Sequence, residues 1–132
     1  MRQSRPLPLI LARELAANVA TPYLVLDAEG TLVYFNERAE RIIGATPAEI
    51  GEVPEQEWRT RFQVERPDGT PVPGEETPSA RARRELRPVH DTLFYTWEDG
   101  RRMMLSVTAT PLLGREGELA GVFLLFWELA EA

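Results

Sequence analysis

Residues 27–44 read DAEGTLVYFNERAERIIG. The first four residues are typical of a tight turn, because Gly30 can take the positive φ that such a turn needs. Apolar, strand-forming residues lie on both sides of this turn. Asn36 can accept a helix N–H through its side-chain oxygen, and Gly44 can end the helix in the left-handed conformation. The stretch therefore predicts a β-hairpin followed at once by a short helix at residues 37–43.

The N-terminal residues show helical periodicity. Leu7, Leu11 and Leu15 recur every four positions among polar residues, which is typical of an amphipathic helix. A chain of 132 residues has the length of one domain. We therefore divide it into a leader helix, residues 1–20, and a single domain, residues 21–132.

Further short helices and then long strands are predicted beyond the hairpin. A capping box with Pro at the first helical position starts a helix after Thr46, and Thr77 starts another in the same way. Between them we expect only a helical turn, at residues 58–62. Three strand candidates, joined by glycine-containing turns, lie at residues 89–97, 101–112 and 118–129. With the hairpin, this order predicts an α+β fold: a five-stranded antiparallel sheet with short helices on one face and the leader helix in front.

The residues at the turns and helix ends of this predicted fold resemble those of the PAS family. In residues 27–44 the Asp-x-x-Gly turn, then Asn36 and Ala39, then the glycine that ends the helix follow the family pattern. The sequence PDGTPVP at residues 67–73 is similar to PAS domains of bacterial sensor proteins. The likeness extends over residues 11–129, nearly the whole chain. It implies a PAS-like sensory domain that relays a signal to an output domain, such as a histidine kinase or a regulator, and catalyses no reaction.

Strand alternation indicates which side chains face the helices. Met103, Leu105, Val107 and Ala109 form an apolar row, whereas the residues between them are more polar, so this row points inward. The resemblance implies the same assignment, and a curved sheet would make its inner face the lining of an apolar pocket. The predicted lining comprises Leu24, Leu26, Phe35, Ala39, Ile43, Leu93, Tyr95, Met103, Leu105, Val107, Val122, Leu124 and Phe126. A filled hydrophobic core would use the same residues, and a domain this small needs one.

The opposite face of the last strand is also apolar. Phe123, Leu125 and Trp127 would meet water there unless another element covers them. The stripe of Leu7, Leu11 and Leu15 is a suitable cover, either within one chain or across a dimer. Because the PAS family often dimerises through this surface, the resemblance implies a homodimer.

Charge and composition exclude several classes of function. Lys and Arg number 15 against 21 Asp and Glu, a net charge of −6, which repels nucleic acid and anionic lipid. No apolar run is long enough for a signal peptide or a membrane span, so we expect a cytoplasmic protein with no nucleic-acid or membrane partner. No set of nucleophile, base and orienting residue is recognisable, and Tyr95 is the only titratable group in the predicted lining. We therefore expect no catalytic residues and no enzyme.

No cofactor is the favoured expectation. The chain has no Cys, which excludes disulfides, thiolate metal sites and the cysteine adduct of photoreactive flavin in light-sensing relatives. His90 is the only histidine and has no neighbouring ligand set, so a structural role is preferred to a haem or metal ligand. Non-covalent flavin stays open.

Two functions remain. The first is a sensory and regulatory module in which a small molecule or a partner contact shifts the sheet and the change passes to an output domain through a dimer interface. The second is a ligand-free dimerisation scaffold with a packed core. The sequence identifies neither the ligand nor the output.

Overall fold

The computed structural model describes residues 7–10 and 21–129. Ten helices and strands of this part, in chain order, are β1 Tyr23–Asp27, β2 Leu32–Phe35, α1 Glu37–Ile43, α2 Pro47–Ile50, α3 Glu55–Arg59, β3 Phe62–Glu65, α4 Pro78–Glu85, β4 Val89–Trp97, β5 Arg102–Leu113 and β6 Leu119–Glu128. Short 3-10 turns occur at Gly74–Glu76 and Arg115–Gly117. Residues 7–10 are helical. Within the described residues no helix has the length and apolar character needed to cross a membrane.

The sheet of the described residues contains six strands, not the predicted five. Its order is β2-β1-β6-β5-β4-β3, and neighbouring strands run antiparallel. The additional strand is β3, where Phe62 pairs with Trp97 and Val64 with Tyr95. The predicted helical turn at 58–62 is wrong in its position, because the helix α3 ends at Arg59. A four-residue edge strand shows too little alternation to be recognised in a sequence.

The hairpin and helix predicted from residues 27–44 are present. Asp27 Oδ1 accepts hydrogen bonds from the backbone N–H groups of Glu29 and Thr31, and Gly30 has φ +89°. Asn36 caps α1 by accepting a hydrogen bond from Ala39 N, and Gly44 ends the helix at φ +85°. Local hydrogen bonding therefore fixes the turn and the cap where the sequence predicts them.

The helices lie on one face of the sheet, as an α+β fold requires. Ala39 of α1, Trp58 of α3 and Ala82 of α4 pack with inward residues of all six strands in one apolar cluster. The small side chains of Ala39 and Ala82 are fully buried, which lets these helices approach the sheet closely. Any cavity between the helices and the sheet must therefore lie on this inner face.

The other face of the sheet carries a smaller apolar cluster. Leu9, 2% exposed, packs there against Val25 and Phe123. Leu7 of the predicted stripe is 65% exposed, and Leu11 and Leu15 lie outside the described residues, as does most of the predicted leader helix. Leu9 therefore covers part of the outer face, a contact that the four-residue spacing of the stripe does not predict.

Candidate ligand-binding cavity

A cavity of about 60 Å³ lies between the inner face of the sheet, α3 and the start of α4. An engineered protein cavity of about 150 Å³ holds benzene, and one water molecule needs roughly 10–15 Å³. The cavity therefore has room for a few water molecules or one very small organic molecule. Its lining consists of Leu24, Leu26, Gly30, Ile43, Glu55, Trp58, Arg59, Phe62, Thr77, Ser79, Tyr95, Trp97, Leu105, Val107, Leu124 and Phe126.

All the residues predicted to line a pocket belong to the inner apolar cluster. Those that line the cavity itself are Leu24, Leu26, Ile43, Tyr95, Leu105, Val107, Leu124 and Phe126. The others pack around it as core: Phe35, Ala39, Leu93, Met103 and Val122. Eight of the thirteen predicted residues therefore line the cavity, and the other five pack around it in the core.

One end of the cavity is aromatic, which the sequence does not predict. The rings of Trp58 and Trp97 are 6.1 Å apart between centroids, and Phe62 lies 5.2 Å from Trp97 and 5.5 Å from Tyr95. Trp58 comes from α3, whereas the other rings come from β3 and β4. Recognising β3 in the sequence would have placed Phe62 inward, since residues two apart in a strand share a face and Val64 is buried.

The rim of the cavity is polar. Glu55 Oε2 lies 2.6 Å from Arg83 Nη1, and Glu55 Oε1 lies 3.4 Å from Arg59 Nη2. Arg59 also donates a hydrogen bond to the carbonyl oxygen of Gly74 at 3.2 Å. This network connects α3, α4 and the loop before α4. Glu55 and Arg59 line the cavity, so the network lies at its opening.

The interior contains two polar groups with unusual surroundings. Trp97 is 8% exposed, and its indole Nε1 is buried with no hydrogen-bond acceptor among the described residues. Burial raises the pKa of the Tyr95 hydroxyl above its ordinary value, and the carboxylate of Asp91 raises it further. Tyr95 therefore stays protonated in the folded state well into alkaline solution.

His90 lies away from the cavity, on the outer face of the sheet. Its Nδ1 is 2.8 Å from Thr108 Oγ1, and its Nε2 is 3.5 Å from Ser106 Oγ. Among the described residues no cluster of three or more His, Asp or Glu side chains could hold a metal ion. The hydroxyl neighbours of His90 are hydrogen-bond partners and form no ligand set.

Three residues of the predicted dimer interface, Phe123, Leu125 and Trp127, lie on the outer face as well. Phe123 is buried against Tyr23, with ring centroids 3.8 Å apart in an edge-to-face arrangement. Trp127, at the end of β6, is 39% exposed. In the sheet Leu125 pairs with Tyr23 on one side and Thr108 on the other. The outer face therefore has the exposed ring of Trp127 beside the apolar cluster of Leu9, Val25 and Phe123.

The fold has many known neighbours. The PAS domain of a protein from Colwellia psychrerythraea is 14% identical, with a TM-score of 0.64 over 92% of this chain and 96% of that one. The PAS domain of nitrogen regulation protein NR(II) from Vibrio parahaemolyticus is 17% identical, with a TM-score of 0.61 over 90% and 98%. The LOV domain of a blue-light activated histidine kinase from Erythrobacter litoralis is 16% identical, with a TM-score of 0.63 over 86% and 100%.

The LOV neighbours raise the question of a photoreactive flavin, and the residues present do not fit one. No Cys exists to form an adduct. Pockets that hold cofactors usually measure about 300–1,000 Å³, several times the volume of about 60 Å³ found here.

The sequence comparisons agree with the fold. No curated protein matches the chain in sequence. The PAS fold family matches residues 17–132, which include every strand of the sheet and every residue of the cavity lining. The chain therefore belongs to the PAS fold family.

Proposed function

We propose that this chain is the sensory module of a regulatory protein and that a small molecule bound in the cavity is its signal. The cavity itself is the observation that supports the proposal, because it adjoins both the inner face of the sheet and the polar network between α3 and α4. A ligand that prefers one arrangement of these elements shifts the population toward it by its difference in affinity. The module catalyses no reaction.

Strand β6 offers a route from the cavity to the surface. Leu124 and Phe126 line the cavity, whereas Phe123, Leu125 and Trp127 alternate with them on the outer face. A ligand that displaces β6 therefore also moves the outer face. We propose that this face forms a homodimer in the cytoplasm and transmits the change to an output domain, such as a histidine kinase or another regulator.

Thermal unfolding with a library of small metabolites tests the sensory proposal. A ligand of the folded state raises the melting temperature by mass action. Leu124→Phe should abolish the increase, because the larger ring fills the cavity, and Leu113→Phe is the matched control at a position that is 44% exposed. A ligand that stabilises wild type and Leu124→Phe equally binds elsewhere and contradicts the proposal.

A ligand-free dimerisation scaffold is the second candidate function. The small volume of the cavity and the exposed Trp127 favour it. Sedimentation equilibrium of the wild-type chain should show a dimer, and Trp127→Glu should shift it to monomer without loss of fold. A monomer at high concentration refutes the homodimer. A dimer that no metabolite stabilises supports the scaffold over the sensor.

A further inference from the structure

An open groove of about 400 Å³ lies beside the edge strand β3. Residues 70–72 fold back along this strand, where Val72 N donates a hydrogen bond to Val64 O at 2.9 Å. The 3-10 turn Gly74–Glu76 follows, and the groove lies between this loop and β3. Its volume is in the usual range of ligand pockets, about 300–1,000 Å³, whereas the cavity of about 60 Å³ is far below it. The groove is lined by Arg59, Phe62, Gln63, Val64, Glu65, Pro71, Val72, Gly74 and Thr77.

The groove and the cavity meet at three residues. Arg59, Phe62 and Thr77 line both spaces. Arg59 Nη2 donates a hydrogen bond to Gly74 O at 3.2 Å and lies 3.4 Å from Glu55 Oε1. Both contacts are long and the Arg59 side chain is 40% exposed, so little free energy holds it in this position. A molecule at this junction reaches both spaces.

The charges of the two linings favour an anion. Among the described residues, Arg59 is the only positively charged side chain that lines either space. The lining carboxylates have arginine partners of their own. Glu55 lies 2.6 Å from Arg83, and Glu65 lies 3.4 Å from Arg102. Arg59 can therefore turn to a ligand without leaving a carboxylate unpaired, and its planar guanidinium matches a carboxylate, which it binds with two parallel hydrogen bonds.

We propose that Arg59 binds the carboxylate of a short-chain carboxylic acid in the groove and that the alkyl chain of this ligand enters the cavity. The proposal rests on the proposed sensory function, since it assigns a chemical class to the ligand of the same cavity. Leu105, Val107 and Leu124 offer the chain an apolar wall. The carboxylate stays in the open groove, which avoids the cost of burying a charge in the apolar interior. The volume of about 60 Å³ limits the enclosed part of the chain to a few carbon atoms.

Hexanoate and hexanamide form a matched pair of probes, because they share the alkyl chain and differ in the charge of the head group. In titrations at constant ionic strength, followed by nuclear magnetic resonance, hexanoate should bind about fivefold more tightly, the upper end for an ion pair with a partly exposed arginine. Arg59→Gln should abolish this preference. Arg38→Gln, the same change of charge at an exposed residue outside both linings, should leave the preference unchanged.

Acetate tests the placement of the alkyl chain, because it has the same head group and almost no chain. Acetate should shift the backbone amide signal of Gly74 in the groove and leave the methyl signals of Leu105 in the cavity unchanged. Hexanoate should shift both. Leu124→Phe, which fills the cavity, should weaken the binding of hexanoate more than that of acetate.

The outcomes separate this proposal from the sensory function. Equal affinity for hexanoate and hexanamide, or a preference that Arg59→Gln does not alter, overturns the carboxylate class and leaves a ligand-binding cavity. Shifts by hexanoate that are confined to the groove overturn the shared site. If neither probe binds, the proposal fails, while a metabolite that stabilises wild type but not Leu124→Phe would still support the sensory function. Should Arg59→Gln not fold, the preference and the signal shifts of the wild-type chain decide alone.

Discussion

Glu55 Oε2 and Arg83 Nη1 form a 2.6 Å ion pair that lies directly over Gly30. The pair joins α3 to α4 and covers the turn between β1 and β2. A Cβ atom on residue 30 would overlap both charged ends, and Gly30 has φ +89°. The backbone conformation therefore favours glycine at this turn, and any larger residue must also displace the ion pair above it.

Gly30→Ala should destabilise the fold by more than a left-handed backbone alone explains. Gly100 is the matched control, since it has φ +91° and a Cβ atom there would meet no other atom within 4 Å. Gly100→Ala should lower the free energy of unfolding by about 1–2 kcal/mol, the cost of a left-handed non-glycine residue. Gly30→Ala should cost up to about 1 kcal/mol more, because the charged ends of the ion pair must move aside. Urea unfolding measures both, and equal losses would show that the ion pair does not pack on the turn.

A double-mutant cycle should detect coupling between Glu55 and Arg83. Their side chains are 28% and 24% exposed, so solvent screens the pair only in part. Glu55→Gln, Arg83→Gln and the double variant should give a coupling energy of about 1 kcal/mol, the upper end for pairs of this exposure.

The pair of Arg61 and Glu57 is the control for this cycle, because its N–O distance is 3.7 Å and Glu57 is 60% exposed. Its coupling energy should be near zero. If the two cycles give the same coupling energy, the short Glu55–Arg83 ion pair stabilises the fold no more than the exposed Arg61–Glu57 pair does.

Local chemistry explains what the sequence predicts correctly. The turn at Asp27, the cap at Asn36 and the end of α1 at Gly44 depend on hydrogen bonds within a few residues, so their signals are contained in short motifs. The inward rows of β5 and β6 extend over ten residues or more, which is long enough for alternation to be clear. For this reason the alternation correctly predicts Leu105 and Phe126 on the inner face.

Features that depend on tertiary packing leave no such signal. The rim brings together Glu55, Arg59 and Arg83 from two helices separated along the chain, and no local motif marks that contact. Edge strand β3 is too short to show alternation, so the sequence does not predict Phe62 in the cavity. The periodicity of the first residues points to Leu7 and misses Leu9, which lies on nearly the opposite face because two helical residues are about 200° apart.

Asn36→Ala should be among the most damaging polar substitutions in the described part of the chain. Asn36 is 1% exposed; its Oδ1 accepts hydrogen bonds from Tyr23 N and Ala39 N, and its Nδ2 donates to Thr21 O. The substitution removes the side-chain partner of the partly buried Tyr23 N–H and Thr21 carbonyl and the cap of α1, so urea unfolding should show a loss of about 2–4 kcal/mol.

Thr46→Ala is the control for Asn36→Ala, because Thr46 caps α2 through hydrogen bonds that are exposed. It should cost only about 1 kcal/mol, the usual value of a helix cap. A loss at Asn36 no larger than that at Thr46 would mean that the link between β1 and α1 is not important for stability.

Tyr95 should make the fold less stable in alkaline solution. Burial, assisted by the carboxylate of Asp91, raises the pKa of its hydroxyl in the folded state, whereas in the unfolded chain a tyrosine ionises near pH 10. Above that pH the unfolded state loses the proton and the folded state retains it, so stability that is fully present below about pH 10 declines as pH rises, by up to about 1.4 kcal/mol per pH unit. Urea unfolding between pH 8 and pH 11 should show this decline in the wild-type chain and a smaller one in Tyr95→Phe, which cannot ionise at that position. Identical pH profiles for the two proteins would show that the hydroxyl of Tyr95 is accessible to solvent and that this end of the cavity is open.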